Sequence, residues 1–279
     1  MKIKLGFSSC PNDTYIFDAL VHGKIDLKGY SFEPVIADIE ELNHLAITRK
    51  LDMVKVSIGA LPNLINNYRV LDSGAALGNG VGPLVVACDP NIDLKQSDIT
   101  IAIPGEKTTA NRLLSIFYPN QIRKKTMLFS DIEDAVLSGT VDAGVLIHEG
   151  RFTYQEKGLR LICDLGFAWE QKTGLPLPLG CICASRDLPE SVVNDLQDIL
   201  RNSLRFANQF PDSSKAFIAD NAQEMKPEVI QSHIALYVNS YSVSLGELGR
   251  KSIFHLMEMM KEKSAESLEP KTIFTNFAS

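Results

Sequence analysis

Short β-branched runs alternate with helically spaced apolar residues from the start of this 279-residue chain, and that alternation restricts the fold more than any other feature. Residues 2–8 read as a strand and 13–22 as a helix with Ile16, Phe17, Leu20 and Val21 on one face. A second strand, 31–37, leads into a helix over 38–50 presenting Leu42, Leu45 and Ala46, and 53–58 is the next strand. Strand–helix–strand order at this spacing predicts βαβ units on a mainly parallel sheet.

The pattern restarts near residue 99. Strands at 99–103, 126–129 and 144–147 enclose helices at 108–118 and 131–137. Asp38-Ile39-Glu40-Glu41 is echoed by Asp131-Ile132-Glu133-Asp134, each after a strand and at a helix start, where acidic residues suit the macrodipole. Each helix leads to an Asp, 52 or 142, and another apolar strand. The same order occurring twice predicts two similar α/β lobes.

Two further strands bracket the second set: 83–88 leaves the first lobe and 180–185 returns to it. From residue 190 the chain is helical, over 192–210, 213–222, 227–238 and 245–261. The expected organisation is α/β, with two βαβ lobes joined by two crossing strands and a ligand cleft between them. Residues 1–86 and 183–279 build the first lobe, and 87–182 the inserted second. The tail beyond 264 has no clear period and is expected to fray or lie along the surface. The long C-terminal helix is available for a homodimer contact.

Composition narrows the partners. A formal net charge of −6 without a basic cluster argues against nucleic acid. No apolar run approaches the ~20 residues of a membrane-spanning helix. The first ten residues lack the apolar core and cleavage site of a signal peptide, which predicts a cytoplasmic protein. Cysteines at 10, 88, 163, 181 and 183 form no C-x-x-C pair and are expected to be reduced and mostly buried.

In open parallel sheets, ligands collect at the carboxyl ends of strands. Ser8-Ser9-Cys10-Pro11-Asn12-Asp13-Thr14 follows the first strand. It reads either as a turn in which Asn12 or Asp13 caps the next helix, or as polar groups facing the cleft. In Met53-Val54-Lys55-Val56-Ser57-Ile58, period-2 alternation puts Lys55 and Ser57 on one face and the aliphatics on the other. Either the strand end is exposed, or Lys55 and Ser57 face an acidic ligand. In Pro104-Gly105-Glu106-Lys107-Thr108-Thr109-Ala110-Asn111, two threonines open a helix whose free N–H groups attract anions, without Walker-loop spacing.

The last segment, Ile147-His148-Glu149-Gly150-Arg151-Phe152-Thr153-Tyr154, cannot be a zinc-protease pair, because Phe152 occupies the second histidine's place. His148 is a structural residue or a general base at a strand end. The glycines of 78–83 are spaced wrongly for a dinucleotide site. His22, His44, His233 and His255 sit in helical segments, on what read as ordinary faces. Trp169 either covers a ligand or packs.

Taken together, Ser9-Cys10-Pro11-Asn12-Asp13-Thr14, residues 78–83, Pro104-Gly105 with Thr108-Thr109-Ala110, the His148 block, and Thr173-Gly174-Leu175-Pro176-Leu177-Pro178-Leu179-Gly180 have a common order and spacing. In these five blocks, from about Leu5 to the C-terminal helix, the chain resembles the 1,4-dihydroxy-6-naphthoate synthase family. Ser9 stands where proline is usual. The resemblance implies a type II periplasmic-binding-protein fold working as a lyase in the futalosine route to menaquinone. The substrate implied is cyclic dehypoxanthinylfutalosine, a small anionic aromatic molecule, cleaved to 1,4-dihydroxy-6-naphthoate and dihydroxyacetone.

It also implies His148 as the proton acceptor, and Lys55, Val56, Ser57, Thr109 and Ala110 as substrate contacts, with Thr108 adjacent. Asn12 joins these from the strand-end reading. Lys55 and the helix start at 108–110 would hold the substrate's carboxylate or hydroxyls. No metal and no organic cofactor is expected. Two rival readings share the fold: a solute-binding protein, and the chorismate-dehydrating enzyme of the same pathway.

Overall fold

The computed structural model describes residues 1–96, 98–121, 123–222, 226–260 and 269–275. In the first half of the chain the elements run β1 (Lys2–Phe7), α1 (Pro11–Val21), β2 (Ser31–Ile36), α2 (Ile39–Ile47), β3 (Met53–Ser57), β4 (Tyr68–Val70), β5 (Ala76–Gly78) and β6 (Leu84–Ala87). Then come β7 (Ile101–Ile103), α3 (Thr109–Phe117), β8 (Lys124–Thr126), α4 (Ile132–Leu137), β9 (Ala143–Leu146), α5 (Gly150–Thr153) and β10 (Arg160–Asp164). The chain closes with α6 (Leu165–Thr173), β11 (Leu177–Ser185), α7 (Glu190–Gln209), α8 (Lys215–Asn221), α9 (Pro227–Tyr237), α10 (Ser240–Val243), α11 (Gly246–Met260) and α12 (Pro270–Ile273).

Two sheets carry the architecture. The first has the order β2-β1-β3-β11-β4, with β5 also on β11; the second has β10-β6-β9-β7-β8. In each, three strands are parallel (β2, β1, β3; β8, β7, β9) and a fourth joins antiparallel: β11 beside β3, β6 beside β9. The sheets are therefore mixed rather than mainly parallel. The antiparallel members are the return strands between sheets, which no βαβ crossover constrains. Each return strand lies wholly in one sheet, so the chain passes between the sheets at 79–83 and 165–176.

The internal echo has a structural counterpart. Asp52 accepts the Lys4 N–H at 2.8 Å and returns its own N–H to the Lys4 carbonyl; Asp142 does the same to Thr100, at 2.7 Å. Each aspartate thus pins one βαβ strand to its neighbour at the strand's start. The capping half of the echo diverges. Asp38 caps α2 through Glu40 and Glu41 N–H, whereas Asp131 sits in a 3-10 turn and makes no cap bond.

Apolar burial links both sheets. Val56 and Cys181 of the first share one core with Val85, Ile101 and Val145 of the second, sealed by Ile253, Leu256 and Met257 of α11. Trp169 is fully buried in that core and donates to the Pro176 carbonyl, so it packs rather than covers a ligand. A second core forms where α1 meets α7; Ser203 there donates to the Ile16 carbonyl at 2.6 Å.

Three expectations are corrected. The eighth strand is Lys124–Thr126, displaced from 126–129, because Phe129 begins a 3-10 turn and Leu128 is exposed. Cys88, just past β6, is exposed rather than buried. The described part of the tail, 269–275, does not fray: Ile273 and Phe274 are buried, Phe274 bridges Val70, and Arg250 lies over its ring. The remaining residues beyond 264 lie outside the described residues.

Candidate active site

The first wall of the cleft is built where β1 ends and α1 begins. Pro11 starts α1 at a position that needs no N–H partner, and Cys10 is the N-cap without a side-chain cap bond. Neither Asn12 nor Asp13 caps the helix. Asp13 instead folds back: one oxygen accepts from Ser8 Oγ at 2.7 Å and Ser8 N at 3.2 Å, the other from Asn12 Nδ2 at 2.8 Å and Lys55 Nζ at 2.5 Å. Asp13 is 1% and Lys55 5% exposed, so this is a buried ion pair. The lysine's charge is already neutralised within the protein.

Along β3, Ser57 faces the cleft and its hydroxyl accepts from Asn43, whose carbonyl takes the Ser57 N–H at 2.9 Å. Val56, on the opposite face, belongs to the core and does not line the cleft with its side chain. Thr108 is the N-cap of α3 and accepts from Asn111 N; Thr109 and Ala110 follow, where backbone N–H groups find no partner inside the helix. Thr109 ties α3 to the first sheet, accepting the Gly59 N–H at 3.0 Å and donating to the Leu179 carbonyl at 2.6 Å. The approach is close enough that a Cβ on Gly59 would stand 2.7 Å from the Lys107 carbonyl oxygen, so glycine is required there.

The opposite wall centres on His148, immediately after β9. Its φ of 58° is left-handed, an unusual backbone for a non-glycine residue, and it turns the ring into the cleft. Nδ1 lies 3.1 Å from Cys10 Sγ, and the ring stands edge-on to Phe129 at 4.7 Å. Nε2 is buried without a hydrogen-bond partner. Burial pulls the His148 pKa down to about 4, partly opposed by Asp13, so the imidazole is neutral near pH 7. Burial also holds the Cys10 thiol well above its ordinary value, with Glu149 and Asp13 acting in the same sense. The direction of the Cys10–His148 hydrogen bond follows the imidazole tautomer; in the one with its proton on Nδ1, the sulfur accepts and Nε2 keeps its lone pair.

Two residues of this wall were missed from sequence. His233 of α9 is 1% exposed, faces the cavity, lies 6.4 Å from the His148 ring, and has no partner on either nitrogen. Burial first, then His148 once it is protonated and the cations Lys55 and Arg151, depress its pKa well below the usual range. Arg151 donates to the Gly82 carbonyl at 3.1 Å and bonds Tyr237, whose own pKa is raised chiefly by burial.

The structure thus gathers Asn12, Lys55, Ser57, Thr108, Thr109, Ala110 and His148 around one cavity with about 690 Å³ of empty space, including its mouth. Apolar surface at Val81, Pro83, Ile147 and Leu179 completes it. Among the described residues, Cys10, His148 and Glu149 bring three potential metal-donor atoms within 4.8 Å of one another. The arrangement as it stands offers a neutral base, amide donors and an apolar slot: groups suited to moving a proton on a flat organic acid.

Comparison with known proteins follows the same line. A family model described as menaquinone biosynthesis matches residues 3–262. A Thermus thermophilus protein named 1,4-dihydroxy-6-naphthoate synthase is 41% identical over 276 residues, 98% of each chain. A Streptomyces coelicolor protein of the same name is 40% identical over 273 residues, covering 96% of this chain and 95% of its own. Among solved structures, an Archaeoglobus fulgidus protein superimposes with a TM-score of 0.87 at 35% identity, over 92% of this chain and 96% of that one. A Candida albicans protein with the generic periplasmic-binding-protein fold gives a TM-score of 0.67 at 14% identity, over 96% and 92%, and speaks to the fold alone. The chain belongs to the menaquinone-biosynthesis family and has a periplasmic-binding-protein-like fold.

Proposed function

We propose, with membership of that family as the premise, that this chain is a carbon–carbon lyase converting cyclic dehypoxanthinylfutalosine to 1,4-dihydroxy-6-naphthoate and dihydroxyacetone. The observation that carries the reading is the bare, buried Nε2 of a neutral His148 at the centre of the cleft. His148 accepts the proton of a sugar hydroxyl. The oxygen's electron pair becomes a carbonyl as the carbon–carbon bond breaks, and the electrons of that bond pass to the ring fragment, which aromatises. The proton on Nε2 then returns to the ring fragment, so the imidazole ends neutral.

The other residues position the substrate. Ser57, Asn12 and the first N–H groups of α3 are hydrogen-bonding surface for the sugar hydroxyls. Lys55, tied to Asp13, keeps that wall rigid. Thr109 fixes the start of α3 against the first sheet and helps keep water from the reacting atoms. The proposed setting is the cytoplasm; among the described residues, no helix is long and apolar enough to cross a membrane.

The test is incubation of the purified chain with the cyclised substrate, followed for dihydroxynaphthoate. Product formation is expected. Ligand returned unchanged would point to a solute-binding protein, and consumption of chorismate to the dehydrating enzyme.

A further inference from the structure

Among the described residues, two permanent cations line the cleft, and their states differ. Lys55 is committed to Asp13, with both groups buried. Arg151 is held by neutral partners, the Gly82 carbonyl and the Tyr237 hydroxyl, and keeps its charge available. Beside it, His233 is 99% buried, lines the same cavity, and has two unpartnered ring nitrogens. Buried polar atoms are nearly always hydrogen-bonded, so a fully bare imidazole facing a cavity marks where a ligand's polar group sits.

We propose that Arg151 and His233 form the subsite for the substrate's carboxylate. A guanidinium matches a carboxylate with a planar fork of donors, and a neutral imidazole adds one N–H. This moves the carboxylate away from Lys55 and the α3 start, to the α9 side of the cleft. The fused rings then lie along Val81, Pro83 and Ile147, and the sugar end falls between His148 and Ser57. The identity of the acid rests on the proposed reaction; the preference for an aromatic carboxylate does not.

The probes are 2-naphthoate and 2-naphthol, flat bicycles differing in the charged group, titrated into the full chain by calorimetry. The wild type is expected to bind the naphthoate about tenfold or more tightly than the naphthol, the size of one charge-assisted bond. Arg151→Met and His233→Phe should each narrow that ratio, and Arg151→Lys should restore part of it. An unchanged ratio in either folded variant, or no preference in the wild type, overturns the proposal. A chain with an Arg151-dependent preference that makes no dihydroxynaphthoate keeps the subsite and loses the proposed reaction.

Discussion

The two walls of the cleft solve the problem of buried polar groups in opposite ways. On the β1–β3 side, Asp13 receives four donors and Lys55 ends on a carboxylate. On the β9–α9 side, His148 Nε2 and both nitrogens of His233 are bare. The Asp13–Lys55 cluster is satisfied without a ligand, which fits a supporting role. The two histidines are not, which fits the reacting role proposed for that side. A polar cluster is thus read by what its atoms lack, as much as by which residues compose it.

Three perturbations test that contrast, the largest first. His148→Asn keeps a polar group compatible with the left-handed backbone but removes the base. Turnover should fall by about 10²–10⁴-fold, the range for a lost general base, while product still binds. Steady-state kinetics and a product titration separate the two, and unchanged turnover would end the assignment of His148.

Lys55→Met attacks the other wall. It leaves a buried carboxylate without its cation, which should destabilise the fold by about 3–5 kcal/mol in chemical denaturation. Adding Asp13→Asn should recover much of that loss, since both charges are then gone. If the single variant is as stable as wild type, the Asp13–Lys55 cluster does not have that supporting role.

The smallest effect is on pH. With the neutral imidazole as the proposed base, the acid limb of kcat/KM should fall near pH 4 rather than 6.5. Stability follows the same shift. With the folded pKa below the unfolded one, the unfolded chain binds more protons between about pH 6.5 and 4, so the contribution is full above 6.5 and is lost as pH falls through that window. His233, depressed in the same direction, adds to the slope. Denaturation series at several pH values, with His148→Asn as the comparison, isolate the part due to His148.

The βαβ repeats were legible because period-2 and 3.6 patterns are local, and the strand-end rule then located most of the cavity. The role of Asp13 was concealed by its position at a helix start, where an acidic residue already has a sufficient explanation. The clue was Lys55, a lysine in an otherwise apolar strand, which required an anion that only folding brings near. His233 and the burial of Phe274 depend on contacts with residues far away in sequence, and helical periodicity does not say what a face will meet. Arg151 was visible within its motif, but its role depends on Lys55 being already paired. Val56 entered with the resemblance, while alternation placed it on the face opposite Lys55 and Ser57, where its side chain joins the core.

One consequence concerns the backbone of His148. Its left-handed φ is uncommon for any residue but glycine and free for glycine, while the buried imidazole further penalises the folded chain in acid. A directed-evolution experiment that rewards heat resistance alone therefore has a physical incentive to discard the residue proposed as the base. Screens for endurance and for output should diverge at this codon, and a library sorted on the first would enrich durable, inert proteins.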